Sequence, residues 1–359
     1  MRFWAFVAWL AALSASPSPC AQAEELAPIT IAAQAGLYRS LPLFAASENG
    51  WWPKAGLQPL VTHFEDETYL LDDPGWDVAV VGPLTALVGA AREGLMTVGI
   101  ADDESDANVV MARPAAAETI LDRPATLKGK TLLLTRDTTA EYGARRCLAR
   151  WRLNPEDVRI AARPPGETGL AFADGAGDLA ALTAPASYAV FERGAGITVC
   201  SAKDAGAVIP GALVARKEFA ERHPERVARF VATVLHAVAW EKTHRGETLD
   251  LMRRYYRDAG IELGDAILAR EIETRPLFAL DEQLKLLDRS GDGVSTADGW
   301  FGRLAAYLLS VAAIEAPPLG QSYLTDTYVK WADADPLLHG LAVGEQPVGA
   351  DKNIVSPTR

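Results

Sequence analysis

The chain has 359 residues, 49% of them hydrophobic, with 35 Lys and Arg against 47 Asp and Glu for a formal net charge of −12. That length and apolar content suit a folded chain of one or two domains. The negative balance, with no basic stripe, argues against nucleic acid and anionic lipid as partners.

The first segment reads as a targeting peptide. Met1-Arg2 is a minimal positive region, Phe3 to Leu13 is apolar but too short to span a bilayer, and Cys20-Ala-Gln-Ala23 supplies small residues for cleavage. The expectation is a signal peptide over 1–23, cleaved near Ala23, and an exported chain that does not span a membrane. Pro19 makes Cys20 a poor lipid-attachment site. Cleavage leaves Cys147 and Cys200. Export permits a bridge, but two buried thiols are expected, since spacing alone does not place their Cα atoms.

Alternating strands and helices follow. Strands are expected at 29–34, 57–64, 77–81, 97–100 and 108–113, with helices at 41–49 and, after the third strand, through 91. A second series has a strand ending at Leu134, a helix over 139–151, strands at 158–161, 188–191 and 197–199, and a turn at 174–178. From Lys217 onward the chain reads as helical: 217–221, 224–244, 247–258, 263–272, 281–288, 296–313 and 322–332. This order argues for α/β architecture with mainly parallel sheet. Two units joined by crossings near 108–113 and 207–216 suggest two lobes around a cleft: 27–110 plus 212–335, and 111–211. A loose tail is expected over 340–359.

One arc recurs three times: a strand, a small-residue turn, and a helix with Ser or Thr at its start. Its instances are Ile29 to Pro42, Asp77 to Thr85 and Lys130 to Ala140. Helix starts carry unpaired N–H groups and the positive end of the peptide dipole. Several aimed at one crevice would hold a small anion.

These pieces resemble the periplasmic solute-binding proteins of the aliphatic-sulfonate, taurine, nitrate and thiamine-precursor uptake family. Pro42, Ala45, Ala46, Gly50 and Lys54 to Leu57 resemble its first helix and exit. Asp77, Gly82-Pro83, Ala90 and Gly94 resemble its next segment. Leu127 to Lys130, Thr138-Thr139, Leu148, Leu153 and Asp157-Val158 resemble the opening of its second lobe. Gly175, Asp178 and Pro185 resemble its return strand, and Phe219, His223 to Glu225, Val227, Ala237 and Trp240 its C-terminal helix. The resemblance implies a two-lobed periplasmic-binding-protein fold (type II-like), with a hinged interlobe cleft and a helical C-terminal portion. It also implies a monomer that delivers a small molecule to an ABC transporter permease.

The candidate ligand residues are Tyr38, Arg39 and Ser40 at the first helix start, Gly82, Pro83 and Thr85 at the second, and Thr135, Arg136, Thr138 and Thr139 at the third. Plain N-capping would need the same hydroxyls. Arg39 and Arg136 would clamp a sulfonate or carboxylate, or else pair with Asp137 or Glu141. Acidic clusters at Glu65-Asp66-Glu67, Asp72-Asp73, Asp102-Asp103-Glu104 with Asp106, and Asp137 read as a solvated rim. If they faced the cleft, the cargo would be cationic or metal-bearing.

Asp288 to Trp300 resembles a calcium loop, with Asp288, Ser290, Asp292 and Thr296 at ligand positions and Asp298 as a substitute. Gly299 stands where the bidentate Glu belongs. The competing reading is a capped helix–turn–helix. No other cofactor is expected, and calcium or a lanthanide would be the metal candidates. There is no Gly-x-Ser-x-Gly, His-Glu-x-x-His or Walker sequence. The expectation is therefore a binding protein for a sulfonate-like anion. The same scaffold holding a metal ion or chelate, and a pyrimidine-precursor-processing enzyme, are the alternatives.

Overall fold

The computed structural model describes residues 26–64, 67–318 and 320–344. The expected signal peptide and most of the expected tail lie outside the described residues.

Among the described residues ten strands form two sheets: β1 Ala27–Gln34, β2 Leu57–Phe64, β3 Val78–Val81, β4 Leu95–Asp103, β5 Asn108–Ala112, β6 Thr131–Leu134, β7 Arg159–Ala162, β8 Leu179–Thr183, β9 Ile197–Ser201 and β10 Pro210–Arg216. The first sheet has the order β2-β1-β3-β10-β4 and the second β7-β6-β8-β5-β9. In each, three parallel strands are followed by an antiparallel one that has just crossed from the other lobe, β10 in the first and β5 in the second. All of β3 is buried, as expected of a central strand covered on both faces.

The crossings are shorter and earlier than the apolar runs suggest. Residues 104–107 and 202–209 make them, and the runs at 108–112 and 210–216 are themselves sheet strands. The two crossings are tied together. Glu104 N–H donates to the Ile209 carbonyl at 2.8 Å, and Ile209 N–H donates to Ser105 Oγ at 3.0 Å.

In the second lobe the strand period of two separates two cores. Leu132 and Leu134 face Ala144, Cys147 and Leu148, while Leu133 faces Phe172 and Leu182. Cys147, in the helix Thr139–Arg150, is bonded to Cys200 in β9, so the expected free thiols are a disulfide. The first lobe is enlarged by the C-terminal helices. His236 and Trp240 of the helix Pro224–Thr243 pack edge-on against Trp51, and Phe230 stacks on Trp52.

Two local expectations differ. Tyr188–Phe191 lies in the helix Ala186–Glu192, and the sheet strand is instead the alanine-rich β8. The expected tail begins inside the helix Pro336–Ala342, where Leu341 and Ala342 are buried and Asp335 accepts from Leu337 and Leu338 N–H at 3.0 and 3.1 Å. No helix among the described residues is long and apolar enough to cross a membrane.

Candidate functional site

A cleft of about 550 Å³ opens where the carboxyl ends of β1 and β3 in one lobe face those of β6 and β8 in the other. Such strand ends, at a lobe boundary, are where α/β folds place ligands. Seven of the ten expected residues line it: Arg39, Gly82, Thr85, Thr135, Arg136, Thr138 and Thr139. Tyr38, Ser40 and Pro83 do not. Residues 38–40 form a 3-10 turn that folds into the core, with Tyr38 beneath the Arg275 guanidinium and Ser40 buried. Pro83 is buried at the start of the helix Pro83–Arg92, where its missing N–H costs nothing.

The start of that helix already holds an anion. One carboxylate oxygen of Glu67 accepts from Gly82 N–H at 2.8 Å and from Thr85 Oγ1 at 2.9 Å, while the other accepts from Arg39. A Cβ on residue 82 would stand 3.2 Å from the carboxylate, so glycine gives it room. Arg39 also donates to Glu104 and is buried. Burial works against its charge, but Glu104 and Glu67 outweigh that and raise its pKa.

The network runs on behind the cleft wall. Arg275 Nη2 reaches Glu104 at 2.6 Å and Asp102 at 3.2 Å, and its Nη1 reaches Glu271 at 2.9 Å. Tyr256 donates to Glu271. Asp102 is pushed up to about 8, first by burial and then by the Glu104 charge, against the pull of Arg275 and Arg39. The acidic loops are therefore not simply a solvated rim. Glu104 and Asp102 are buried pairing partners, Asp103 accepts from Ser105, and Asp106 pairs with Lys203. Glu65 and Asp66 lie outside the described residues.

The facing helix start, Thr139–Arg150, is open to the cleft. Thr138 is its N-cap and accepts from Glu141 N–H at 3.3 Å. Thr135 Oγ1 lies 3.0 Å from Thr168 Oγ1. Arg136 is half exposed and donates to Glu141 at 3.0 Å. Burial opposes the Glu141 charge, but hydrogen bonds from Arg145 and Asp137 N–H, with the charges of both arginines, hold its carboxyl below the ordinary range. Gln34, Leu37, Glu67, Leu84, Glu104, Pro165, Gly166, Thr168 and Leu182 also line the cleft and were not singled out as ligand residues. Glu67 and Glu104 carried a signal, as acidic residues at the ends of apolar strands.

The Asp288 loop is built as a turn between helices. Asp298, three residues inside the N-cap Ser295, accepts from Ser295 N–H at 2.8 Å and is gripped by Arg289 through two bonds of 2.7 Å. Thr296 is the first helical residue, and Asp288 accepts from Ser290 N–H and Oγ at 2.9 Å. The carboxylates at 288, 292 and 298 do not converge. Among the described residues no three His, Cys, Asp or Glu form a group that could hold a metal.

The family model described as NMT1/THI5 like matches residues 38–248. A Bacillus subtilis (strain 168) protein whose name proposes aliphatic-sulfonate binding is 26% identical over 226 residues, 60% of this chain and 67% of that one. The fold is similar to the periplasmic aliphatic sulphonate binding protein SsuA of Escherichia coli, with a TM-score of 0.68 at 16% identity over 83% of this chain and 92% of that chain. It is also similar to the alkanesulfonate-binding SsuA of Xanthomonas axonopodis pv. citri bound to MOPS, with a TM-score of 0.64 at 18% identity over 84% and 99%.

Proposed function

The chain belongs to the NMT1/THI5-like family, and from that premise we propose that it is the periplasmic substrate-binding component of an ABC importer whose cargo is a small, sulfonate-like organic anion. The observation that carries this reading is the pair of long helix starts, Pro83–Arg92 and Thr139–Arg150, facing one cleft from opposite lobes. Thr135, Thr138 and Thr139 would supply hydroxyl and N–H donors to the acid group. Arg136, itself half exposed, would turn from Glu141 to the cargo, because the buried Glu141 carboxylate keeps Arg145 and the Asp137 N–H. Leu37, Leu84, Pro165 and Leu182 offer apolar walls for the organic portion. A cargo bridging the lobes favours the closed form, which a permease then reads. The cargo is handed on unchanged.

The Cys147–Cys200 bridge is consistent with an oxidising compartment and supports export. A metal cargo is not favoured. Of the acidic residues that line the cleft, Glu67 and Glu104 are committed to arginines and an N–H group, and no metal-ligating group that would include Asp137 forms among the described residues.

The test is a thermal-shift and calorimetric panel on chelator-stripped mature protein. Methanesulfonate, MOPS and taurine would be compared with carboxylates, pyrimidines, calcium and a lanthanide. A true cargo at a hundredfold over its Kd adds about 2.7 kcal/mol of stability. A shift with at least one sulfonate and none with the metals is expected. A shift with metal alone removes the proposal.

A further inference from the structure

Both helix starts that face the cleft carry a carboxylate of the chain's own, but Glu141 at Thr139–Arg150 is buried behind Thr138 and Thr139, which line the cleft, while Glu67 at Pro83–Arg92 lines the cleft itself. We propose that Glu67 is a tethered anion filling the first-lobe anion position, so that the acid group of a cargo enters there only by displacing it. Glu67 is then an affinity-setting residue of the cleft. The proposal rests on reading the cleft as an anion site.

The donor set around Glu67 is what a free carboxylate or sulfonate would require. It comprises a backbone N–H and a hydroxyl at a helix start, with a guanidinium on the other oxygen. An ordinary ion pair would need only Arg39. Here the approach of Gly82, with a Cβ position 3.2 Å from the carboxylate, and the reach of Thr85 complete a cradle. The side chain is 12% exposed and lines the cleft, so the cradle stands at the cargo's boundary and not within the core. Arg39 keeps a second partner in Glu104. The guanidinium therefore stays anchored and charged when Glu67 leaves, and the Nη2 that held Glu67 is freed to donate to the entering anion. A tethered group competes at an effective concentration on the order of millimolar or more, so it weakens any monoanion that needs its place.

The experiment compares wild type with Glu67→Ala, following denaturation and calorimetry with acetate and methanesulfonate as probes against chloride at equal ionic strength. The vacated cradle is expected to bind acetate. Acetate should then raise the melting temperature of the variant saturably and leave wild type unmoved, and methanesulfonate should bind the variant at least tenfold more tightly. Equal effects of both anions on the two proteins, or none on either, would overturn the proposal and mark Glu67 as a structural ion pair. If Glu67→Ala fails to fold, Glu67→Gln is read instead. The amide keeps the length and loses the competing charge, so tighter methanesulfonate binding is expected, and unchanged or weaker binding overturns the idea. Acetate rescue of Glu67→Ala with no wild-type response to any sulfonate would keep the tethered anion and remove the sulfonate cargo.

Discussion

Arg39 and Arg136 show how burial divides two residues that look alike in sequence. Arg39 is buried between Glu67 and Glu104, whereas Arg136 is half exposed with one partner. Truncating Arg39 leaves Glu67 without its counter-charge and Glu104 with Arg275 alone, so Arg39→Ala should cost about 3–5 kcal/mol in urea denaturation. Arg136→Ala should change stability by about 0.5 kcal/mol or less and weaken sulfonate binding at least fivefold by calorimetry. Preserved affinity in that variant would remove Arg136 from the site. Both arginines stand beside a helix start in the sequence. The flanking Tyr38 and Leu41, both buried in the core, are the local hint of the difference. The same buried network sets a pH dependence. Asp102, pushed up to about 8 from an ordinary 3.8, stays protonated when folded and releases its proton on unfolding. Burial also raises Glu241, whose carboxyl oxygens have no hydrogen-bond partner. Groups raised in the fold give stability that is full below the unfolded value and lost as pH rises through the folded one. Stability should therefore fall between pH 5 and pH 8, by at most about 1.4 kcal/mol per pH unit for each such group. Asp102→Asn should flatten the slope, and an unchanged slope in that variant would place the proton elsewhere.

At the level of elements, the helix caps decide what the Asp288 loop is. Ser295 caps the helix Thr296–Ser310, and Asp298 answers it from inside the first turn while pairing with Arg289. Ser295→Ala should cost about 1 kcal/mol. Asp292→Ala should cost little, and calcium should leave the melting curve of wild type where it was. A calcium-dependent shift abolished by Asp292→Ala would restore the metal reading. The spacing of Asp288, Ser290, Asp292 and Thr296 is legible in sequence. The arginine that takes Asp298 away is not, because it lies inside the loop at a position where a calcium site tolerates any residue. Strand identity failed for a related reason. β8 is Leu-Ala-Ala-Leu-Thr, with no β-branched residue before its last, so its propensity is weak and its place between β6 and β5 comes from tertiary pairing. Tyr188 to Phe191 carries the stronger local strand signal and is overruled by the fold, where its segment closes over β8 as a helix.

The whole molecule is two versions of one sheet joined by two short crossings, and that plan was the most legible part of the sequence. Strand–turn–helix units recur in order, and the apolar run at residues 78–81 fixes a covered central strand. What the sequence withheld was relation across the fold: which acid meets which arginine, and which cysteine meets which. The disulfide joins the helix Thr139–Arg150 to β9, an edge strand, across 53 residues, so it closes much of the second lobe on itself. Removing a bridge over a loop of that size should cost about 2–4 kcal/mol, because the unlinked unfolded chain regains freedom. The loss should be local before it is global. Cys147 lies in the same helix whose first turn presents Thr138 and Thr139 to the cleft, while the first lobe has its own core and its own helical layer. Reduction, or the pair Cys147→Ala and Cys200→Ala, should therefore lower the denaturation midpoint and speed amide exchange in β5 to β9 and the helix Thr139–Arg150. Exchange in β1 to β3 should stay near its original rate. Sulfonate affinity should fall with it, since cargo binding would then have to order a wall that the bridge now holds. An unchanged midpoint after verified reduction would mean that Ala144 and Leu148 hold the helix by packing alone, leaving the bridge no part in shaping the cleft.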